Sequence, residues 1–417
     1  MIKQAADVAA ALAALRMLYA DLQGGNPAAC KRLSRAMLEP ELARLGITRV
    51  GDITGLDHIG IPVWFAARPA SRSLCIANGK GITEEGAWLS AVMESAEQAI
   101  AEEASLLVSF VASRAAVTRQ GLRSIPLERQ ARCAARRLTQ EAELGWVLGL
   151  SLRTGEPVFA PYELVGMDMV SSAPWNTRDF RMSSLGLAAG GDLASAILHG
   201  LRELVEEDAI FGPLAGGAPA ERRDVIFNRP CATGIAWAIE KLAERDIEAR
   251  FVQVSDDIAM PVVMAALKPR HGDQAGLAYF CGSACRSTVE DAALAALLEA
   301  VQSRLTYISG ARDDLYAEEY HRQLRPGTEA LFGGHRFSDE RPAEESGQDG
   351  SDDLAVLLAA VFAAGIGDVY AFPLGGCRYG FEVVRVLADD LVAFEAVTGS
   401  ARTGRAGDKL LRRWMHS

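Results

Sequence analysis

Three times along the chain a helical apolar repeat carries acidic side chains one turn apart on a single stripe, and this recurrence limits the possible folds more than any other feature. In GITEEGAWLSAVMESAEQAIAEE, Trp88, Leu89, Val92, Met93, Ala96 and Ile100 follow the helical period, while Ser90, Glu94 and Glu97 fall at spacings of four and three on one narrow face. In SSLGLAAGGDLASAILHGLRELVEEDAIFG a glycine-rich turn leads to Asp192 as N-cap. The helix that follows holds Ile197, Leu201, Leu204 and Val205 inside and His199, Glu203, Glu206 and Glu207 on the other face. After the strand-like GLAYFCGSAC, Ser287 and Glu290 form a capping box for a third helix. That helix puts Glu299 and Gln302 one turn apart with Arg304 near them. Carboxylates bordered by apolar neighbours either need cations or flank the edge of a solvated face.

A chain of 417 residues with 49% apolar content fills two ordinary domains or one large α/β domain. Residues 1–46 read as a helical extension of two helices, Ala5–Leu22 and Pro27–Leu45, split at Gly24–Pro27. Residues 47–417 read as one α/β domain, opening with short strands around GIPVWFAARP and SRSLCIANGKG. A strand-like LVSF, the basic amphipathic run LERQARCAARRL and strands between Trp146 and Met169 precede the second acidic helix. The helix GIAWAIEKLAERD and the strands ARFVQVSD and MPVVMAALKP follow it. The acidic stretch 338–353 reads as a mobile surface loop, followed by an apolar helix Leu354–Ala364 and the strands DVYAF and EVVRVLA.

Charge and cysteine usage narrow the function. A net charge of −11 and a pI near 5.2 argue against a nucleic-acid surface, which requires a basic face. The seven scattered cysteines read as reduced thiols, and the Cys281–Cys285 pair has no second pair or nearby histidine to complete a zinc site. No signal-type or transmembrane run is present, so a cytoplasmic protein without membrane association is expected.

Convergence of the five glutamates Glu94, Glu97, Glu203, Glu206 and Glu299 would call for hard cations, and magnesium commonly bridges carboxylates to phosphate oxygens. Ser90, Gln302 and Arg304 could then hold phosphate or base, and the Gly190–Gly191–Asp192 turn could offer backbone N–H groups at a helix start. Neither a P-loop nor a GxGxxG turn opening a helix occurs. Taken singly, each stripe reads first as a solvated helix face, Lys80 between two glycines as a turn residue, and His199 as a helix-surface or boundary histidine. Spacing leaves both readings open.

Three segments nevertheless resemble the YcaO family: ANGKGITEEGAWLSAVMESAEQ its first nucleotide motif, LAAGGDLASAILHGLRELVEEDA its second and LLEAVQSRLTYISGARDD its third. The entry segment TRVGDITGLDHIGIPVWFAARP is similar too, and the likeness covers roughly residues 47–395. The resemblance implies the YcaO fold, an α/β architecture of mixed sheets with three motif-bearing helices around a nucleotide site. It implies ATP with Mg2+ held by Glu94, Glu97, Glu203, Glu206 and Glu299. Lys80, Ser90, Ala188, Asp192, Gln302 and Arg304 would contact the nucleotide, and Gln302 and Arg304 would also act in catalysis. The implied reaction phosphorylates a backbone amide oxygen of a ribosomally made peptide, so that a side-chain nucleophile gives an azoline or a sulfide equivalent gives a thioamide. Gln98 and Glu207 stand where the family has arginines, and Gly191 and Ser195 where it has asparagine and glutamate. These departures keep a second expectation in play, a degenerate relative that binds peptide or partner without ATP turnover. The proline-free ending GRAGDKLLRRWMHS resembles the branch that works with a TfuA-type partner on a precursor peptide, and a homodimer is expected from the family.

Overall fold

Helix α1 (Glu84–Glu102) begins where the Thr83 hydroxyl accepts the Gly86 N–H at 3.1 Å, with Glu84 and Glu85 in the first turn, where the helix dipole favours acidic side chains. Its apolar stripe is buried, and Trp88, Val92 and Ile100 each contribute roughly 1.5–3 kcal/mol by leaving water. The computed structural model describes residues 13, 15–17, 19–20, 31–103, 107–134, 138–214, 223–225, 233–255, 257–269, 280–315, 332 and 352–391. Four further long helices follow, α2 (Leu193–Leu214), α3 (Thr233–Ala243), α4 (Val289–Ser309) and α5 (Asp352–Ala363). Asp192 caps α2 as expected, its Oδ1 accepting the Ser195 N–H at 2.8 Å. For α4 the cap lies one residue beyond the expected Ser287. Thr288 accepts the Asp291 N–H at 3.0 Å and donates its hydroxyl to the Asp291 carboxylate, because Thr-x-x-Asp offers the same reciprocal spacing one position on. The displaced Ser287 accepts a hydrogen bond from Arg202 at 3.2 Å.

Strands β1 (Arg49–Asp52), β2 (Val63–Ala67) and β3 (Ile76–Lys80) form a three-stranded sheet. Strands β4 (Val108–Ser113), β5 (Glu143–Ser151), β6 (Pro157–Pro161) and β7 (Leu187–Gly190) belong to a six-stranded sheet completed late in the chain. A four-stranded sheet is built from β8 (Arg223–Val225), β9 (Ile247–Gln253), β10 (Val262–Pro269) and β11 (Phe280–Cys285). Strands β12 (Val369–Gly375) and β13 (Glu382–Ala388) complete the six-stranded sheet, where β13 lies between β12 and β7. The named ladders are antiparallel, and an isolated parallel bridge joins Ser124 to Phe159. The architecture is α/β, with several sheets and helices packed on them.

The helix expected over 27–45 is not continuous: among its described residues, 31–45, only Arg35–Leu38 is α-helical, followed by a 3-10 turn at Glu39–Glu41 that contains Pro40. Proline lacks the N–H and cannot continue a regular helix, so the chain turns there. Leu38, Leu45 and Ile47 still join the core beneath α1, and Arg35 lies over the Trp88 ring. The basic run after Pro126 starts with a short 3-10 turn at Leu127–Arg129, and residues 135–137 of it lie outside the described residues. The rest of the first expected helix, residues 338–351 of the acidic loop and the tail from 392 lie outside the described residues; 352 and 353 already belong to α5. Among the described residues no helix is long and apolar enough to cross a membrane.

Candidate functional site

The three acid-bearing helices meet around three strands, each touching two of them: β3 lies against α1 and α4, β7 against α1 and α2, and β11 against α2 and α4. Glycines permit the close approach. A methyl on Gly79 of β3 would sit 1.9 Å from the Ala91 nitrogen of α1, and one on Gly282 of β11 would sit 2.4 Å from the Ala296 carbonyl oxygen of α4. The same strands supply donors to the glutamates. Glu97 accepts the Ala189 N–H at 2.8 Å and Glu203 the Gly186 N–H at 2.8 Å. Glu206 accepts the Ser283 hydroxyl at 2.6 Å and the Cys285 N–H at 3.3 Å. Glu299 accepts the Ser283 N–H at 3.4 Å and pairs with Lys80 Nζ at 3.0 Å.

The five glutamates therefore come together, and their electrostatics show it. All five are only partly buried, yet around Glu94, Glu97, Glu203 and Glu206 the surrounding protein excludes enough water to penalise the charge. Burial raises the Glu94 carboxyl, opposed by Lys80 and Arg312 and reinforced by Glu299. Glu97 is pushed well above the usual carboxylate range by burial and by the charge of Glu94, against the Ala189 N–H. Burial pushes Glu203 up to about 8 despite the Gly186 N–H, with Glu206 adding to it, and burial with Glu299 pushes Glu206 up to about 7. His199, one turn before Glu203, is pushed down to about 4 by its protein surroundings and by Arg286, Lys80 and Arg202, so the ring is neutral.

This donor set fits a divalent cation carried with a phosphate. Its oxygens are hard ligands, its charges repel one another, and Gln302 Oε1 is buried without a partner. Among the described residues no three of His, Cys, Asp and Glu close around a single point. Magnesium is commonly bound by one or two carboxylates together with phosphate oxygens and water.

Of the other expected nucleotide contacts, Lys80 stands at the site through its pair with Glu299 and its field on Glu94, Glu206 and His199. Ser90 shares the stripe of α1 and has no hydrogen-bond partner among the described residues. Three residues are placed differently. Arg304 is turned off the carboxylate face, because two positions along a helix from Gln302 rotate a side chain by about 200°. It is buried, with Nε donating to Asp57 Oδ2 at 3.0 Å and the guanidinium over the Phe280 ring. Ala188 is buried in β7 opposite Val384, and its neighbour Ala189 makes the contact to the cluster. Asp192 is occupied as the cap of α2, bonded to Ser195. Beside it the glycine turn is covered, since a methyl on Gly191 would lie 1.8 Å from the Lys31 carbonyl oxygen. Gln98 is buried on the apolar side of α1.

Several contributors escaped the sequence reading. Ser283 and the N–H groups of Gly186 and Ala189 have no sequence signature, since any residue carries a backbone donor. Arg312, beyond α4, places a positive charge within reach of Glu94. Arg385 had a signal: a lone arginine amid the apolar strand EVVRVLA, where a charge is rarely found unless it has partners.

The sequence profile of the YcaO family, described as YcaO cyclodehydratase, ATP- and Mg2+-binding, matches residues 78–392. An uncharacterized protein from the tfuA 3′ region of Rhizobium leguminosarum bv. trifolii is 33% identical over 374 residues, covering 85% of this chain and 86% of that one. A YcaO protein of Methanopyrus kandleri, solved bound with AMPPCP and Mg2+, superposes with a TM-score of 0.63 at 21% identity, covering 90% of this chain and 94% of that one. A heterocyclase solved in complex with substrate and cofactor gives a TM-score of 0.63 at 16% identity. The match covers 88% of this chain and 55% of the heterocyclase, so the chain spans about half of that protein. At these identities the structural likenesses show the fold.

Proposed function

The chain belongs to the YcaO family, and from that premise we propose that it is an ATP-dependent enzyme of the cyclodehydratase type, acting on backbone amides of a ribosomally made peptide. The observation that carries this reading is the ring of five glutamates from three helices, each held by a strand N–H, a hydroxyl or Lys80, or lying in the field of Lys80. Bound ATP with Mg2+ would supply the phosphoryl group that makes the amide oxygen a leaving group. Carboxylates drawn from Glu94, Glu97, Glu203, Glu206 and Glu299, with the phosphate oxygens, would hold Mg2+, and Lys80 and Arg312 balance the charge at the α1 side. The Ser90 hydroxyl and the unpartnered Gln302 Oε1 are free to orient the nucleotide or the peptide. Within this function we favour thioamide formation with a TfuA-type partner over azoline formation, on the strength of the relative from a tfuA 3′ region.

In the presence of the natural partner and precursor, Glu94→Ala and Glu203→Ala should each abolish peptide-stimulated ATP consumption and the mass change of the peptide. Unchanged turnover in both variants would sink the reading. The engagement of Arg304 with Asp57, away from the glutamates, favours a second reading in which the protein binds peptide or partner without turnover. Magnesium-dependent ATP hydrolysis stimulated by a peptide excludes it.

A further inference from the structure

Close to the glutamates, two arginines are buried without a carboxylate bonded to either among the described residues. Arg385, in the middle of β13, has no exposed surface. Its Nε donates to the Val165 carbonyl at 3.1 Å, and Nη1 donates to the carbonyls of Ser184 at 2.9 Å and Leu185 at 2.8 Å. Nη2 is buried and has no acceptor. Arg132 lies alongside, donating to the carbonyls of Leu164 at 3.0 Å, Ser183 at 3.4 Å and Arg181 at 3.5 Å.

The carbonyls of Ser183, Ser184 and Leu185 belong to the turn that enters β7, whereas those of Leu164 and Val165 belong to the short helical turn Tyr162–Val165, which the two arginines thereby tie to it. The residue after Leu185, Gly186, donates its N–H to Glu203, and Ala189, paired with Val383 two positions from Arg385, donates its N–H to Glu97. An unbroken series of bonds therefore runs from the Arg385 guanidinium through Ser184 and Leu185 to the Glu203 carboxylate. Burial and the charge of Arg132 work against the charged guanidinium and hold Arg385 well below the usual arginine range, while Glu203 and Glu97 work for it. A charge buried without an ion pair is costly, and the two glutamates offset part of that cost.

We propose that Arg385, supported by Arg132, is a positioning residue for the metal-binding carboxylates: it fixes the β7 turn that aims Glu203 and Glu97, and it supplies the unneutralised positive charge that lets both stand close together facing a divalent cation. This rests on the ATP and Mg2+ reading of the site. Partners that orient metal ligands in this way cost about 10- to 100-fold in metal affinity when removed.

The test uses the full-length protein and calorimetric titration of AMPPCP at increasing Mg2+, with circular dichroism to establish folding. Arg385→Met should raise the Mg2+ concentration at half-maximal nucleotide binding by about tenfold or more, while saturating Mg2+ brings nucleotide affinity back to within about threefold of wild type. Arg385→Lys, which keeps the charge, should recover most of the loss. In a Glu203→Gln background the increment from Arg385→Met should shrink to about threefold or less, because the residue acts through that carboxylate. A folded Arg385→Met protein with an unchanged Mg2+ midpoint overturns the proposal. So does a loss of nucleotide binding that Mg2+ does not restore, which marks a merely structural arginine, or an increment equal in both backgrounds. Should Arg385→Met not fold, Arg132→Met decides: a midpoint raised about threefold supports the proposal and an unchanged one overturns it. Wild-type protein that binds no AMPPCP with Mg2+ would instead defeat the functional reading and this inference with it.

Discussion

At Glu203 the folded chain holds a proton that the unfolded chain releases. The carboxyl is raised from an ordinary 4.5 to about 8 by burial, with Glu206 and Glu207 adding to it and Arg385 and the Gly186 N–H opposing. Glu206, raised to about 7, behaves likewise. Between those values the native state binds more protons than the unfolded state, so stability falls as pH rises from about 4.5 to 8. A divalent cation takes the place of the protons. The metal-free protein should therefore melt at a lower temperature at about pH 8 than at about pH 5.5, and Mg2+ should raise the melting temperature more at the higher pH. A Mg2+ effect equal at both would contradict the assignment. Glu203→Gln keeps an acceptor for the Gly186 N–H but no charge. It should flatten the pH dependence and stabilise the metal-free protein at the alkaline end, while weakening the response to Mg2+.

At the scale of elements, glycines set how closely helix and strand meet. Because a methyl on Gly79 or Gly282 would strike helix backbone atoms, which cannot rotate away, Gly79→Ala and Gly282→Ala should each lose about 1–3 kcal/mol of stability or more by chemical denaturation. Each would also lift a strand off its helix and separate Lys80 or Ser283 from its glutamate partner. Tolerance of either substitution would mean that the close packing is not required. Helix α4 gives a second expectation, because its carboxylate face and Arg304 point in different directions. Arg304→Met leaves Asp57 buried with the Ile59 N–H but without a countercharge and should cost about 3–5 kcal/mol, whereas Asp57→Asn combined with Arg304→Met should recover much of that and bind nucleotide as wild type does. A folded double variant that fails to bind nucleotide would return Arg304 to the site. These elements also mark what could be read in the chain. The three helices and their glutamates were legible because apolar periodicity and capping residues are local. The direction of Arg304 was not legible from its nearness in sequence to Gln302, because two positions along a helix point a side chain elsewhere, here to Asp57. The donors from β7 and β11 were invisible, since a backbone N–H has no residue type.

Across the whole molecule, each acid-bearing helix packs on a different sheet: α1 on β2 and β3, α4 on β10 and β11, α2 on β13 and β7. The site thus exists only where three sheets dock, and contacts such as Lys80 to Glu299 close over 219 residues of chain. Without ligand, the mutual repulsion of the glutamates works against that docking once alkaline pH removes their protons. A nucleotide with its cation, holding carboxylates from all three helices, should stabilise the assembly as a unit, by about 2.7 kcal/mol at a ligand concentration a hundred times Kd. Hydrogen exchange should then show protection rising together at β3, β7 and β11 when AMPPCP and Mg2+ are added. Glu94→Gln, Glu203→Gln and Glu299→Gln, one on each helix, should each weaken the protection at all three strands. Protection confined to the neighbourhood of one helix would show that the ligand is held by one layer, and that the convergence of the three serves the fold alone.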